Sequence, residues 1–202
     1  MSKSVEKVYH KFSAKDNNSN EIVNYKVVLL PSKYFDETIE MLVKFYVTDE
    51  TFCRSKRLWE KKESLEMCCA FWNAALEEHL SIGCFKEGSN ELIAVNVLMI
   101  ATSDDDDFVL DDQDLTDIIE VITYTGKQFN PFEHYKVSKY LTDYGLLVHP
   151  DYRKLGIATE MLKARIPMMK ELGIELTASD FTGTGSQLAA VRAGYTETYS
   201  IK

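Results

Sequence analysis

The sequence predicts one α/β domain, a mixed sheet packed between helices, and three observations carry that prediction. Periodic segments follow the order strand, helices, strand hairpin, then strand, helix, strand, helix and strand. The strand segments are short and rich in branched residues, as in Glu21 to Leu30 and Leu146 to Val148. At 202 residues, with 45% hydrophobic and 27% charged content, the chain has the size and balance of a single buried core. No internal repeat or dividing linker interrupts it, so residues 1–20 are expected as a flexible extension or short hairpin and 21–202 as one domain. The most buried strands are expected in the second half of the chain.

Each element has a local reason. Val5 to Phe12 alternates weakly and can pair across the polar stretch Asp16 to Asn20 with Glu21 to Leu30. Pro31 ends that strand, and Ser32 is placed to cap an amphipathic helix through Ile39, Leu42, Val43 and Tyr46. The helix runs out near Val47 to Phe52, and a second helical pattern covers Leu58 to Leu80. Ile82 to Phe85 and Leu92 to Ala101 flank Gly88-Ser89-Asn90, which predicts a hairpin. Asp104 to Asp107, with Asp111, Asp112 and Asp114, reads as a solvated acidic loop, with a substrate funnel as the alternative. A mixed helical region follows from about Leu115 to Tyr140, broken at Asn130-Pro131. Gly173 caps the next helix, Ile174 to Ala178 reads as a short strand, Ser186 to Arg192 as a last helix, and Tyr195 to Ile201 as a final strand.

The chemically most informative stretch is Leu146 to Ala158. Pro150 stops an apolar strand, and Ile157, Met161, Leu162, Arg165 and Met168 then recur at helical spacing. A helix therefore opens directly after a glycine-containing basic turn, Arg153-Lys154-Leu155-Gly156. Its first N–H groups are unpaired and carry the positive end of the helix dipole, and Gly156 lets an anion approach that backbone. By itself this says that a pyrophosphate can bind.

Composition excludes several classes. The net charge of −9 argues against nucleic acid and tilts toward cationic partners. Neither GxxxxGK[ST] nor GxGxxG occurs. Cys53, Cys68, Cys69 and Cys84 form no metal-binding spacing and are read as free, mostly buried thiols, so no metal is expected. No apolar run reaches membrane-spanning length and Met1 to Glu6 lacks the apolar core of a signal peptide, so a cytoplasmic protein without membrane contact, a monomer, is expected.

With its flanks, the turn resembles the GNAT superfamily of N-acetyltransferases. The Arg/Gln-x-x-Gly-x-Gly/Ala signature is matched by Arg153-Lys154-Leu155-Gly156-Ile157-Ala158, its lead-in by Val148-His149-Pro150-Asp151-Tyr152, and its late Gly-Phe/Tyr by Gly194-Tyr195. The resemblance spans roughly residues 22–201 and implies a mainly antiparallel, twisted sheet with helices on both faces. Asp49-Glu50-Thr51, and Ser186 eight residues before Gly194, are similar to the insect arylalkylamine N-acetyltransferase branch. Thr51 stands where that branch usually has proline, Thr182 where some members have a second serine, and the sequence ends at Lys202, before the last strand of relatives.

The resemblance implies acetyl-coenzyme A as cosubstrate, with backbone groups of Leu146, Leu147 and Val148 holding the pantetheine arm. The N–H groups of Lys154, Leu155, Gly156, Ile157 and Ala158 would cradle the pyrophosphate, with charge from Arg153 and Lys154. It implies Glu50 as general base toward a small amine, directly or through water, among Phe45, Tyr46 and Phe52, which would desolvate it; the alternative is a solvated loop acid. Ser186 is expected either to bond the departing sulfur or orient coenzyme A, or to cap the last helix. Tyr140, Tyr144 and Phe129 to Phe132 are open between lining an amine pocket and core packing, and His149 is expected to be structural. The acceptor expected is an arylalkylamine such as dopamine, tyramine, octopamine, serotonin or tryptamine. A polyamine or agmatine, and a non-catalytic coenzyme A-binding module, are the alternatives.

Overall fold

The computed structural model describes residues 6–16, 19, 21–104 and 111–201. Strands β1 (Val8–Lys15), β2 (Ile22–Leu29), β3 (Ile82–Lys86), β4 (Leu92–Thr102) and β5 (Lys139–Val148) form one sheet in sequence order. Every neighbouring pair is antiparallel, and the only parallel element among the described residues is a bridge between Leu141 and Thr177. Along β2, Val27 faces one core and Val28 the other, as strand alternation requires. On the Val28 side lie α1 (Phe35–Met41) and α4 (Lys62–Glu77), which add Met41, Trp72 and Leu76 to a core with Phe85, Val95 and Leu147. On the Val27 side α7 (Ile157–Leu172) packs Ile157, Met161 and Met168 on Ile82, Cys84 and Ala94. The sheet thus carries helices on both faces.

Several elements differ from expectation for identifiable reasons. The most buried strands are β3 and β4, in the middle of the sheet order, rather than strands of the second half. Ser32 caps nothing; it opens a 3-10 turn, Ser32–Tyr34, whose cap residue is Pro31. After α1 the chain widens into a π-helical stretch, Leu42–Tyr46, and one last turn, α2 (Val47–Asp49). Glu50 then turns extended, with ψ 138°, and α3 (Thr51–Ser55) restarts the helix. The expected Leu58 to Leu80 helix is a 3-10 turn, Leu58–Glu60, followed by α4, because Arg57 (φ 53°) is left-handed and Lys61 is extended.

The acidic stretch is only partly a loop. Asp105 to Asp107 lie outside the described residues, whereas Asp112 caps α5 (Gln113–Gln128) by accepting from Leu115 N at 2.9 Å and from Ser64 Oγ at 2.7 Å. Asp114 pairs with Lys61, and Asp117 with Lys56, so this acid fastens α5 to the segment before α4. α6 (Pro131–Tyr135) is capped by Asn130, and Tyr140, expected in the helical region, already belongs to β5.

Ile174 to Ala178 is not a strand. Gly173 (φ 63°) ends α7, Ile174 is buried, and the segment touches β5 once, through Leu141 N to Leu176 O (3.0 Å) and Ala178 N to Leu141 O (3.1 Å). α8 (Thr184–Ala193) follows and Gly194 (φ 94°) closes it. Tyr195 to Ile201 is not a strand either: residues 196–201 are exposed, so their alternation has no face to bury.

The sheet is shaped by a bulge in β5. Asn96 pairs with Leu146 but Leu98 with Asp143, which sets Tyr144 and Gly145 against Val97 alone. The displaced carbonyls are satisfied by side chains, Tyr144 O by Trp72 Nε1 and Gly145 O by Asn96 Nδ2, both at 2.9 Å. Beneath the bulge, fully buried Arg165 of α7 donates to Asn96 Oδ1 (2.9 and 2.7 Å), Ser179 Oγ (2.9 Å) and Thr177 Oγ1 (3.2 Å), and pairs with Asp143 at 2.9 Å. Removing one partner of a buried pair leaves the other charge uncompensated. Arg165→Met should therefore lower unfolding free energy by about 3–5 kcal/mol in urea titration. Arg165→Met combined with Asp143→Asn should recover part of that loss.

Candidate active site

The turn after β5 is built to present backbone N–H groups. Pro150–Tyr152 forms a single 3-10 turn, Lys154 (φ 67°) and Gly156 (φ 79°) are both left-handed, and α7 begins at Ile157 with no side chain capping it. Left-handed residues on either side of Leu155 make the kind of concave backbone nest that binds anions. Leu155, Ile157 and Thr159 anchor the turn through partly or fully buried side chains, while a Cβ at Gly156 would meet nothing within 4 Å. The open side of the nest is the side an anion would use.

Arg153 has a different position from the expected phosphate contact. Its Nη1 pairs with Asp49 Oδ2 at 2.5 Å and its Nε donates to Val148 O at 3.1 Å. The turn is thereby tied to the end of α2, one residue before Glu50. Lys154 is exposed.

Glu50 is held by donors on both oxygens. Oε1 accepts from Phe52 N at 3.0 Å and from Thr182 Oγ1 at 2.6 Å, and Oε2 accepts from Cys53 N at 2.7 Å. These three bonds, together with a contact from the Cys53 thiol, fix the direction of the carboxylate. Thr51 Oγ1 in turn donates to Thr182 O at 2.8 Å. Glu50 is half-buried and joined to a segment 132 residues away.

Between Glu50 and the turn lies the outer edge of β5. His149 N donates to Ile93 O and Leu147 pairs with Val95, so strand alternation turns the backbone groups of Leu146 and Val148 outward. Beyond the Leu141 bridge no strand pairs with that edge among the described residues. Leu147 itself is spent on the ladder, which moves the expected backbone contact from Leu147 to its neighbours.

The surroundings keep neighbouring acids neutral. Burial, then the charges of Glu50, Cys53 and Asp143, holds the Tyr46 phenol well above its usual range, and a Cβ on Gly145 would stand 3.7 Å from Tyr46 Cε2. Tyr46 therefore lies beside the bulge as a neutral ring, edge-on to Trp72. Burial, then the Glu50 charge, also pushes the Cys53 thiol up, and burial pushes Cys68 to about 12. Asp180 touches solvent, yet desolvation by the surrounding protein, and next the charge of Asp143, raises its carboxyl; Thr125 Oγ1 donates to it at 3.2 Å.

The other candidates sort by contact. Ser186 does not cap α8: Gly183 is the cap residue, and Ser186 Oγ donates to Gly183 O at 2.8 Å inside the first turn. His149 is structural, accepting from Asp151 N and meeting Phe45 edge-on at 4.8 Å. Tyr144 lies at the bulge against Phe71, whereas Phe129 and Phe132 pack locally around α6. Sequence spacing gave no sign of the Asn96, Asp143 and Arg165 cluster, although a charged residue on an apolar helix face was visible at Arg165. Thr182 and Asp49 carried a signal only through their alignment with the resembled branch.

Residues 100–193 match the acetyltransferase (GNAT) family. No curated protein matches the sequence. A crystal structure of a putative arylalkylamine N-acetyltransferase 7 from the yellow fever mosquito is 38% identical, with 97% of this chain and 83% of that chain covered and a TM-score of 0.94. Arylalkylamine N-acetyltransferase 2 of Aedes aegypti is 20% identical over 84% of this chain and 82% of that one, TM-score 0.75. A Drosophila melanogaster polyamine N-acetyltransferase that forms N-acetylagmatine is 13% identical over 84% and 82%, TM-score 0.66. The last two are alike in fold.

Gly156→Val should abolish calorimetric binding of pyrophosphate, or weaken it at least about tenfold, since a side chain then occupies the open face of the nest. Left-handed strain costs about 1–2 kcal/mol, so the variant should remain folded by circular dichroism.

Proposed function

This chain belongs to the GNAT family of N-acetyltransferases, and from that premise we propose that it transfers the acetyl group of acetyl-coenzyme A to the primary amine of an arylalkylamine. The observation that carries the reading is the joint placement of Glu50, the outward edge of β5 and the nest at Lys154 to Gly156. Asp49, next to Glu50, holds Arg153 at the head of the nest. Acetyl-coenzyme A supplies an activated thioester. The chain's own residues must orient it, accept a proton and stabilise charge on the carbonyl oxygen.

Each task has a candidate. N–H groups from Lys154 to Ala158 bind the pyrophosphate at the start of α7, with Lys154 adding charge. The outward groups of Leu146 and the N–H of Val148, whose carbonyl already accepts from Arg153, pair with the amide-bearing arm as an added strand would, and an N–H on this edge polarises the thioester carbonyl. Glu50 takes the proton of the ammonium, directly or through one water, because a primary alkylamine is overwhelmingly protonated at neutral pH. Attack is direct. An acetyl-cysteine relay requires a thiolate, and burial works against one at Cys53 and Cys68. Ser186 remains a candidate for the departing sulfur only if its hydroxyl leaves Gly183 O.

A polyamine or agmatine acceptor is the second reading. Asp180 favours it: this exposed carboxylate has no cationic partner in the ion pairs of the described residues, and the net charge is −9. Tyr46, Trp72 and Tyr144 favour the aromatic acceptor, since they bring rings to the bulge beside Glu50.

Two outcomes test the reading. Purified protein should release free thiol from acetyl-coenzyme A with at least one amine of a mixed aromatic and polyamine panel; silence across the panel refutes the activity. Glu50→Gln should lower turnover about 10²-fold or more. The loss should shrink as pH rises toward the amine's own pKa, where more acceptor arrives neutral, and an unchanged pH–rate profile removes Glu50 as base.

A further inference from the structure

Thr51 stands where the resembled branch usually has proline, and the structure gives its hydroxyl a specific task. Thr51 Oγ1 donates to Thr182 O at 2.8 Å, while Thr182 Oγ1 donates to Glu50 Oε1 at 2.6 Å. The two bonds run in opposite directions between the same short segments. Thr51 holds the backbone of residue 182, and residue 182 holds the side chain next to Thr51. Proline at this position would suit the first helical residue but has no side-chain donor.

We propose that Thr51 and Thr182 form a reciprocal clamp that positions the Glu50 carboxylate, Thr51 acting only through Thr182. This rests on Glu50 being the base. The Phe52 and Cys53 N–H groups come from the same helix start as Glu50, so they fix the carboxylate relative to α3 alone. Thr182 supplies its tie to the other wall, where Ser179 bonds Asp143 and Arg165 a few residues earlier. The clamp therefore registers the base against the bulge of β5, beside which an acetyl donor would lie. A hydroxyl bonded to a carboxylate is among the stronger uncharged donors, and its loss leaves one lone pair on Oε1 to reorient toward water.

The test uses Thr51→Val, Thr51→Ser, Thr51→Pro, Thr182→Val and the double Val variant. With the best amine, Thr51→Val and Thr51→Pro should lower kcat about 5–10-fold, as for one lost hydrogen bond, with the Kd for coenzyme A unchanged. Thr51→Ser should restore the rate. The loss should narrow as pH rises, and the double Val variant should be no slower than Thr182→Val, because both act along one path. Hydrogen exchange of the Phe52 and Cys53 amides reads the anchoring of Glu50 without any substrate and should accelerate in both Val variants. Wild-type rates in Thr51→Val and Thr51→Pro with unchanged exchange, or additive losses in the double variant, overturn the clamp. A wild type that acetylates no amine refutes the functional reading instead, and the exchange measurement then decides on the clamp by itself.

Discussion

The arrangement depends on one buried charge. Arg165 has no exposed side chain, and a guanidinium in that position is tolerated only with an opposite charge and a full set of acceptors around it. Asp143, Asn96, Thr177 and Ser179 meet that need. Meeting it decides much else. Asn96 also bonds Asp143 and Gly145 O, which stabilises the bulge, and Thr177 and Ser179 draw the chain after α7 across the edge of β5. That route brings residue 182 to Glu50. The bulge and the approach of residue 182 to Glu50 both lean on the bonds this one arginine makes.

Around this frame the site separates charge by location. The N–H nest, with Lys154, lies at the helix start, where an anion is favoured. The carboxylates Glu50 and Asp180 lie toward the opposite wall, where an incoming ammonium is favoured. Between them Tyr46 and Cys53 stay neutral under the influence of burial and of Glu50 itself. Asp49 with Arg153 forms the seam between the two.

Much of the fold was legible because it rests on local rules. The hairpins, Gly173 and Gly194 as helix ends, and the start of α7 at the glycine turn all follow from backbone chemistry confined to a few residues. The readings that missed required knowledge of partners. Tyr195 to Ile201 alternates like a strand but meets no neighbour, and Ile174 to Ala178 is captured by Arg165 before it can form a ladder. In the candidate site, the turn and Glu50 were visible through the resemblance. Leu147's commitment to Val95, the salt bridge of Arg153 and the bond of Thr182 arise from contacts across more than fifty positions, which periodicity cannot register. Asp112, Asp114 and Asp117 show the same limit, since a run of acid looks solvated until its lysines are found.

That attachment of α5 gives the helix its own energy scale. Leu115 is its one buried residue, Ile118 packs partly buried on the same core, and the Asp112 cap, the pairs with Lys56 and Lys61 and the Thr125 bond add to them. Partly exposed ion pairs hold weakly compared with a packed core. With fewer buried residues than α4 or α7, the helix belongs to the low end of the range of local opening energies. Asp180, which accepts from Thr125 of this helix, is therefore tied to one of the less firmly packed elements of the protein.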